Sequence, residues 1–498
     1  VTQPSDDDAA PAPARPSRSL LTPGRRRALV VTAAVLGALA LPAGALFAGA
    51  AVGARELAPA SAPAPTGSST PAPTPTAVVD PPRTAPTVAV ESSRLRTCSI
   101  QSLASDPVLG SFSAAVVDAA TGELLFDRGA DEPVRTGSVM KTLTAAAALA
   151  VLGPDYQLVT RTVTGETPGS VVLVGGGDAT LSRTAPGQES VYPGAPKLAD
   201  LAAQTIAAYR AANGADAVIT ELVLDAGYWN PDDRWHPSWD RGEQTQGWLS
   251  EVVALQVDGD RNDPRAVQSS RSTDPVGRAG QWFAEALAAA GNPGVSIRQG
   301  SATGEAAPLA EVRSQPVRTL IGQMVPFSDN TLAEMLARVI SLQQGLGGSA
   351  ASIDDAYAQA LAGYGIPVDR LTIIDGSGLS DLNAVPPVYA AQLAVKVDAG
   401  EGALGVVRDA WPIAGQTGTL TNRYTGDNAA ARGAVRAKTG LLADGHMLSG
   451  SIRAEDGTQL AFFFSATAPG LGESNGTRVQ LDTLATAVFR CGDNLSTL

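Results

Sequence analysis

Three short segments of this chain hold side chains that together could break an acyl bond. Ser138 and Lys141 stand in Ser-Val-Met-Lys, Ser328 and Asn330 in Ser-Asp-Asn, and Lys438 and Thr439 in Lys-Thr-Gly. A serine hydroxyl is a weak nucleophile until a base takes its proton. A buried lysine can be tuned to act as that base, whereas arginine stays charged. The usage of basic residues sharpens the point. Only Lys141, Lys197, Lys396 and Lys438 are lysines among 36 basic residues, which leaves 32 arginines. The chain keeps lysine at two of its three motifs and uses arginine nearly everywhere else.

Each segment also has an ordinary structural reading. Ser138 could cap a helix, Ser328-Asp329-Asn330 could be a cluster of N-cap residues, and Lys438-Thr439-Gly440 could be a strand end with a turn. The two histidines, His236 and His446, lie outside any nucleophile-elbow context and read as structural residues. With no His/Cys cluster and only scattered carboxylates, the sequence contains no metal-ligand pattern, and no cofactor is required.

The elements that must position these residues can be read from pattern. Residues 110–128 alternate as a β-hairpin turning near Thr121-Gly122. The alanine-rich stretch 139–152 predicts a buried helix, with Ser138 and Lys141 three apart at its first turn and on one face. Residues 155–315 mix helical signals at 197–212 and 280–290 with strand-like runs at 171–174 and 217–224. This stretch is too long for a loop, so 156–315 reads as one or more inserted domains between the first and second motifs. After Asn330 the apolar residues 332, 335, 336, 339 and 340 have helical spacing, and a second helix fits 353–364. Lys438-Thr439-Gly440 leads into β runs at 447–453 and 459–466, and 478–489 predicts a terminal helix packing on that sheet. These elements make an α/β (α+β) sandwich with an antiparallel sheet. Its catalytic domain is formed by 97–155 and 316–491.

The ends of the chain carry different information. Residues 1–27 are Pro-rich and end in Arg25-Arg26-Arg27, as expected of a disordered cytoplasmic tail. From 28 to 54 run 27 residues without a charge, enough for one membrane-spanning helix of ~20 residues. Arginines before that run predict an inside N-terminus and an extracytoplasmic remainder. Ala48-Gly49-Ala50 supplies the competing reading, a cleaved signal segment and a secreted protein. Residues 55–96 have the Pro/Ala/Ser/Thr composition of an extended linker. Cys98 and Cys491 bracket the globular part, and an oxidising exterior predicts a disulfide between them rather than two buried thiols. A net charge of −13, without a long Lys/Arg block after the apolar run, excludes nucleic-acid binding as a leading function.

Taken with their order and contexts, the three motifs are those of penicillin-recognising serine enzymes. The chain resembles class C low-molecular-mass penicillin-binding proteins, the D-alanyl-D-alanine carboxypeptidase/endopeptidases of peptidase family S13. Residues 174–178 (Val-Gly-Gly-Gly-Asp) with Thr180-Leu181-Ser182, Ala333-Glu334-Met335-Leu336, 375–379, and Ala414-Gly415 with Gly418-Thr419-Leu420 extend the likeness over about 98–490. The resemblance implies a transpeptidase/β-lactamase-like domain, peptidoglycan stem peptides as substrates, and β-lactam antibiotics as inhibitors. It makes Ser138 the nucleophile and Lys141 its base, with Lys438 helping to depress the Lys141 pKa. Ser328 would relay a proton, and Asn330 would hold a substrate carbonyl or orient Lys141. The N–H groups of Ser138 and Leu441 would form the oxyanion hole. Lys438 and Thr439, with Gly440 and Leu441 beside them, would bind a substrate carboxylate. Leu441 and Asp381 depart from the family pattern, which commonly has a small or hydroxyl residue and a basic residue there. A serine β-lactamase and an inactive cell-wall scaffold of the same fold are the alternatives.

Overall fold

The computed structural model describes residues 95–496. The tail expected at 1–27, the apolar segment at 28–54 and the linker up to residue 94 lie outside the described residues. Among the described residues, no helix is long and apolar enough to cross a membrane.

The chain begins with β1 (Cys98–Ser99), the single turn α1 (Gln101–Ala104), and the hairpin β2 (Ser111–Asp118) and β3 (Leu124–Arg128). After α2 (Met140–Val151) come β4 (Val159–Thr164), β5 (Ser170–Val174), α3 (Leu198–Asn213) and β6 (Glu221–Asp225). Then follow α4 (Gly242–Gln246), α5 (Pro275–Ala289), β7 (Ser296–Gln299) and β8 (Pro308–Arg313). Five helices come next: α6 (Val317–Phe327), α7 (Asn330–Gln343), α8 (Ile353–Ala362), α9 (Pro387–Ala399) and α10 (Gly405–Ala410). The chain closes with β9 (Val435–Leu442), β10 (Gly445–Arg453), β11 (Gln459–Thr467), α11 (Asn475–Cys491) and β12 (Leu495–Ser496).

Two five-stranded sheets result. The first has the order β3-β2-β11-β10-β9 and is antiparallel throughout, with β9 at its edge. The second, drawn from residues between the first two motifs, has the order β7-β6-β5-β4-β8. Its β5, β6 and β7 run parallel, and β4 is antiparallel to both neighbours. α3 and α5 cover one face of this sheet through Leu201, Ile206, Phe283 and Leu287.

The first sheet is covered on both faces, and its central strands read accordingly as nearly continuous apolar runs. Side chains alternate along β11, so consecutive phenylalanines serve different cores. Phe462 and Phe464 pack with Leu481, Leu484 and Val488 of α11, while Phe463 joins the helical layer on the opposite face. α2 is buried from Met140 to Leu149. It is buried on all sides, its polar Lys141, Thr142 and Thr144 included, because α6, α7 and α8 all pack against it.

Two element boundaries differ from the sequence pattern for identifiable reasons. α5 begins at Pro275, ahead of the expected residue 280, because Asp274 caps it by accepting from Gly277 N at 2.9 Å. β6 begins only at Glu221, because the Asn292 side chain takes both the N–H and the C=O of Ile219. Those groups are then unavailable to a strand ladder.

Candidate active site

Lys438-Thr439-Gly440 runs along β9, and the segment carrying Ser138 packs directly against that edge strand. Ser138 lies in a 3-10 turn, Gly137–Val139, leading into α2. Gly137 has φ +47°, and a Cβ there would stand 3.0 Å from Leu441 N and 3.2 Å from Gly440 Cα. The missing side chain therefore lets the backbones of Ser138 and Leu441 approach each other. Gly378, with φ +82°, is still more constrained, since its Cβ would fall 1.9 Å from the Gly137 carbonyl oxygen. A residue larger than glycine at 378 would displace the turn carrying Ser138.

Ser138 does not cap α2; Val139 holds the N-cap position, without a side-chain bond. Instead the Ser138 Oγ accepts from Lys141 Nζ at 2.9 Å. Lys141 Nζ also donates to Asn330 Oδ1 and to the Ser377 carbonyl, each at 2.6 Å. A charged ammonium spends its three hydrogens on these three oxygens. A neutral amine has two, and the two carbonyl oxygens cannot donate in return, so its lone pair faces Ser138. The side chain is fully buried. Burial pulls its pKa down to about 8, against the attraction of Asp375, Glu334, Asp329 and Glu243.

Ser328 ends α6 in the left-handed region with φ +59°, a conformation that costs about 1 kcal/mol or more for a residue other than glycine. Its neighbour Asp329 holds the turn by capping α7, accepting from Leu332 N at 3.0 Å. The other Asp329 oxygen accepts from Arg261 Nη2 at 2.7 Å and from Tyr192 OH at 2.8 Å. Both partners come from the segment between the first two motifs. Asn330 opens α7 and faces Lys141.

Lys438 Nζ donates to Ser328 Oγ at 3.0 Å and to the Thr439 carbonyl at 2.8 Å. This side chain too is fully buried, and burial, followed by repulsion from Lys141, holds its pKa well below the ordinary value. Thr439 Oγ1 reaches outward and pairs with Thr419 Oγ1 at 2.9 Å, while the Leu441 side chain is 58% exposed at the strand end. The structure thus brings together Ser138, Lys141, Ser328, Asn330, Lys438, Thr439, Gly440 and Leu441. Neither histidine touches Ser138. His236 Nδ1 lies 2.7 Å from Ser238 Oγ, and His446 is on β10, with burial lowering its pKa. Cys98 and Cys491 are joined as a disulfide with Cα atoms 5.5 Å apart. Asp381 pairs with Arg135, which also holds Asp444 in the turn between β9 and β10.

The model of the D-Ala-D-Ala carboxypeptidase 3 (S13) family matches residues 97–270 and 264–488. The chain belongs to this family. It is a serine-type D-Ala-D-Ala carboxypeptidase by that membership. A carboxypeptidase of Mycobacterium tuberculosis is 34% identical over 413 residues, covering 82% of this chain and 86% of the relative. The carboxypeptidase DacB of Mycolicibacterium smegmatis is 34% identical over 393 residues, covering 78% and 82%. Among solved structures, penicillin-binding protein 4 of Haemophilus influenzae superposes with a TM-score of 0.63 at 19% identity, covering 76% of this chain and 95% of that one. The fold of this S13 carboxypeptidase is therefore the α/β transpeptidase-like one.

Several residues of the site escaped the motif reading. Arg261 and Tyr192 are far from any motif and follow no period, so only the folded chain brings them to Asp329. Glu334 did leave a signal, a carboxylate four residues after Asn330 on the buried stripe of α7. The Ser377 carbonyl contributes as backbone, which no side-chain pattern reports.

Proposed function

We propose that this S13 carboxypeptidase cleaves the terminal D-alanyl-D-alanine bond of peptidoglycan stem peptides through an acyl-enzyme on Ser138, with Lys141 as general base. The carrying observation is the environment of Lys141 Nζ, whose two carbonyl partners at 2.6 Å leave a neutral amine only Ser138 Oγ to accept from. Ser138 Oγ attacks the scissile carbonyl carbon and its proton passes to Lys141. The N–H groups of Ser138 and Leu441 stabilise the oxyanion. The C–N bond then breaks, the leaving amine takes a proton from Ser328, and D-alanine departs. Ser328 regains the proton that Lys141 took from Ser138, so Lys141 is neutral again, and Lys438, 3.0 Å from Ser328 Oγ, holds that hydroxyl in place. Water then attacks the acyl carbon and gives its proton to the neutral Lys141, which hands that proton to Ser138 Oγ as the acyl C–O bond breaks.

Asn330 Oδ1 is committed to Lys141, which favours the orienting role for its oxygen and leaves the Nδ2 hydrogens for a substrate carbonyl. The hydroxyls of Thr439 and Thr419 take the terminal carboxylate, backed by the amine of Lys438 behind them. A β-lactam acylates Ser138 by the same attack, but its leaving nitrogen stays tethered to the acyl group. Residues 97–155 and 316–491 form the catalytic part and 156–315 the inserted part, a division supported by the separate sheet built from 159–313. The uncharged run 28–54, preceded by arginines, supports a single-pass anchor with the catalytic region outside the cell, or secretion if it is cleaved.

Labelling with a fluorescent penicillin tests the reading. Mass spectrometry should place the adduct on the peptide containing Ser138, and Ser138→Ala should abolish it. Equal labelling of the Ser138→Ala protein would assign the nucleophile elsewhere.

A further inference from the structure

Lys141 is held by a backbone carbonyl, and that carbonyl belongs to a turn with its own buried support. The Ser377 and Gly376 N–H groups donate to Glu334, at 2.7 and 3.3 Å. The next part of the turn is fixed by Asp375, which accepts from Gly378 N at 2.7 Å and Ser380 N at 2.6 Å. Glu334 is completely buried and lies one helical turn after Asn330 on α7. One helix face therefore grips the base twice, directly through Asn330 and indirectly through Glu334 and the Ser377 carbonyl.

We propose that Glu334 is a positioning residue for the general base: it anchors the turn whose Ser377 carbonyl steers Lys141. This inference rests on Lys141 acting as the base. The charged neighbours of the pair can be named. Lys141 faces Asp375, Glu334, Asp329 and Glu243, and its charge in turn lowers the pKa of Lys438. Glu334 faces Asp375 on the turn, Tyr357 on α8, Lys141 on α2, and Arg338 on its own helix. Burial, then the charge of Asp375, pushes Glu334 up to about 7. Its carboxylate raises the Lys141 pKa. A carboxylate there favours the ammonium, so its removal should ease deprotonation.

The test is the pH profile of acylation by a chromogenic cephalosporin in the parent and in Glu334→Gln. The glutamine can accept from only one of the two amides and carries no charge. Acylation should fall roughly 10–100-fold through misplacement of the base, while the acid limb moves down by roughly half a pH unit or more. An acid limb left in place overturns the proposal, even if the rate falls, because a merely structural loss would not move it. Should Glu334→Gln fail to fold, Glu334→Asp decides. It withdraws the carboxylate from the turn and from Lys141, so slower acylation with a smaller downward move of the acid limb supports the proposal, and an unmoved limb or a parental rate overturns it. A parent that acylates without need of Ser138 or Lys141 would instead refute the underlying mechanism, which the Ser138→Ala and Lys141→Ala controls report separately.

Discussion

Arg261 Nη2 donates to Asp329 Oδ2 at 2.7 Å, with both side chains buried, so the segment between the first two motifs grips the second one. Tyr192 OH reaches the same carboxylate oxygen and itself accepts from Arg261 Nη1 at 2.6 Å. Asp329 in turn caps α7 and holds Ser328 in its left-handed conformation. The placement of the Ser328–Asn330 turn is therefore linked to residues of the segment between the first two motifs.

Arg261→Met should be strongly destabilising, because it leaves a buried carboxylate without its partner, a loss of about 3–5 kcal/mol. Denaturant unfolding measures it, and the loss should shrink when Asp329→Asn is added. The pair also predicts acid sensitivity. Burial alone would raise the Asp329 carboxyl, but Arg261 and the Leu332 N–H outweigh it and hold the pKa below the ordinary value. A depressed carboxyl contributes its stability above its unfolded pKa of about 3.9, and that stability is lost as pH falls through the folded value. Equal stability of parent and Arg261→Met at neutral pH would contradict the account.

Lys141→Ala should lower acylation by roughly 10²–10⁴-fold, with the fold retained by circular dichroism. In the parent, the acylation rate should rise with pH through about 8, where burial places the Lys141 amine. Lys141→Arg should be as poor as Lys141→Ala, since arginine cannot give up its proton. Near-parental acylation in either variant would show that another group takes the Ser138 proton.

Lys438→Gln separates two roles. Its amine is buried on Ser328 Oγ and close to Lys141, so a relay or electrostatic role predicts that every substrate suffers. A carboxylate clamp predicts a selective loss on peptides ending in a free D-alanine, where a charge-assisted bond contributes roughly 1.5–3 kcal/mol, or at least about tenfold. Turnover of a D-alanine-terminated peptide and of an internal cross-link should both fall, by at least about tenfold on the first. No loss on either would remove Lys438 from the site.

Cys98 and Cys491 close a loop spanning 393 positions, and constraint of the unfolded chain should contribute about 6 kcal/mol in the chain-entropy model. Protein made in an oxidising compartment should show no free thiol on denaturation without reductant. Cys98→Ser/Cys491→Ser should melt earlier yet still acylate, because the bond packs in the core shared with α11 and not in the helical layer that contains α2. Two titratable thiols in the parent would reject the bond.

The sequence by itself determined the three motif segments and much of the framework. Ser138 and Lys141 at helical spacing, the apolar period after Asn330, and the buried β runs beyond Gly440 are local patterns, and local patterns survive in one dimension. The chemistry of lysine against a background of arginine was likewise visible before folding. Only the tertiary structure decided how those groups are held. The Ser377 carbonyl on Lys141, the Glu334 carboxylate under that turn, and Arg261 with Tyr192 on Asp329 join residues separated by 43 to 236 positions. No period or motif encodes such pairs, since each depends on where separate elements pack. It also turned Lys438 inward toward Ser328. The reason is physical: an amine's role follows from burial and from its neighbours' charges, and both are properties of the folded chain alone.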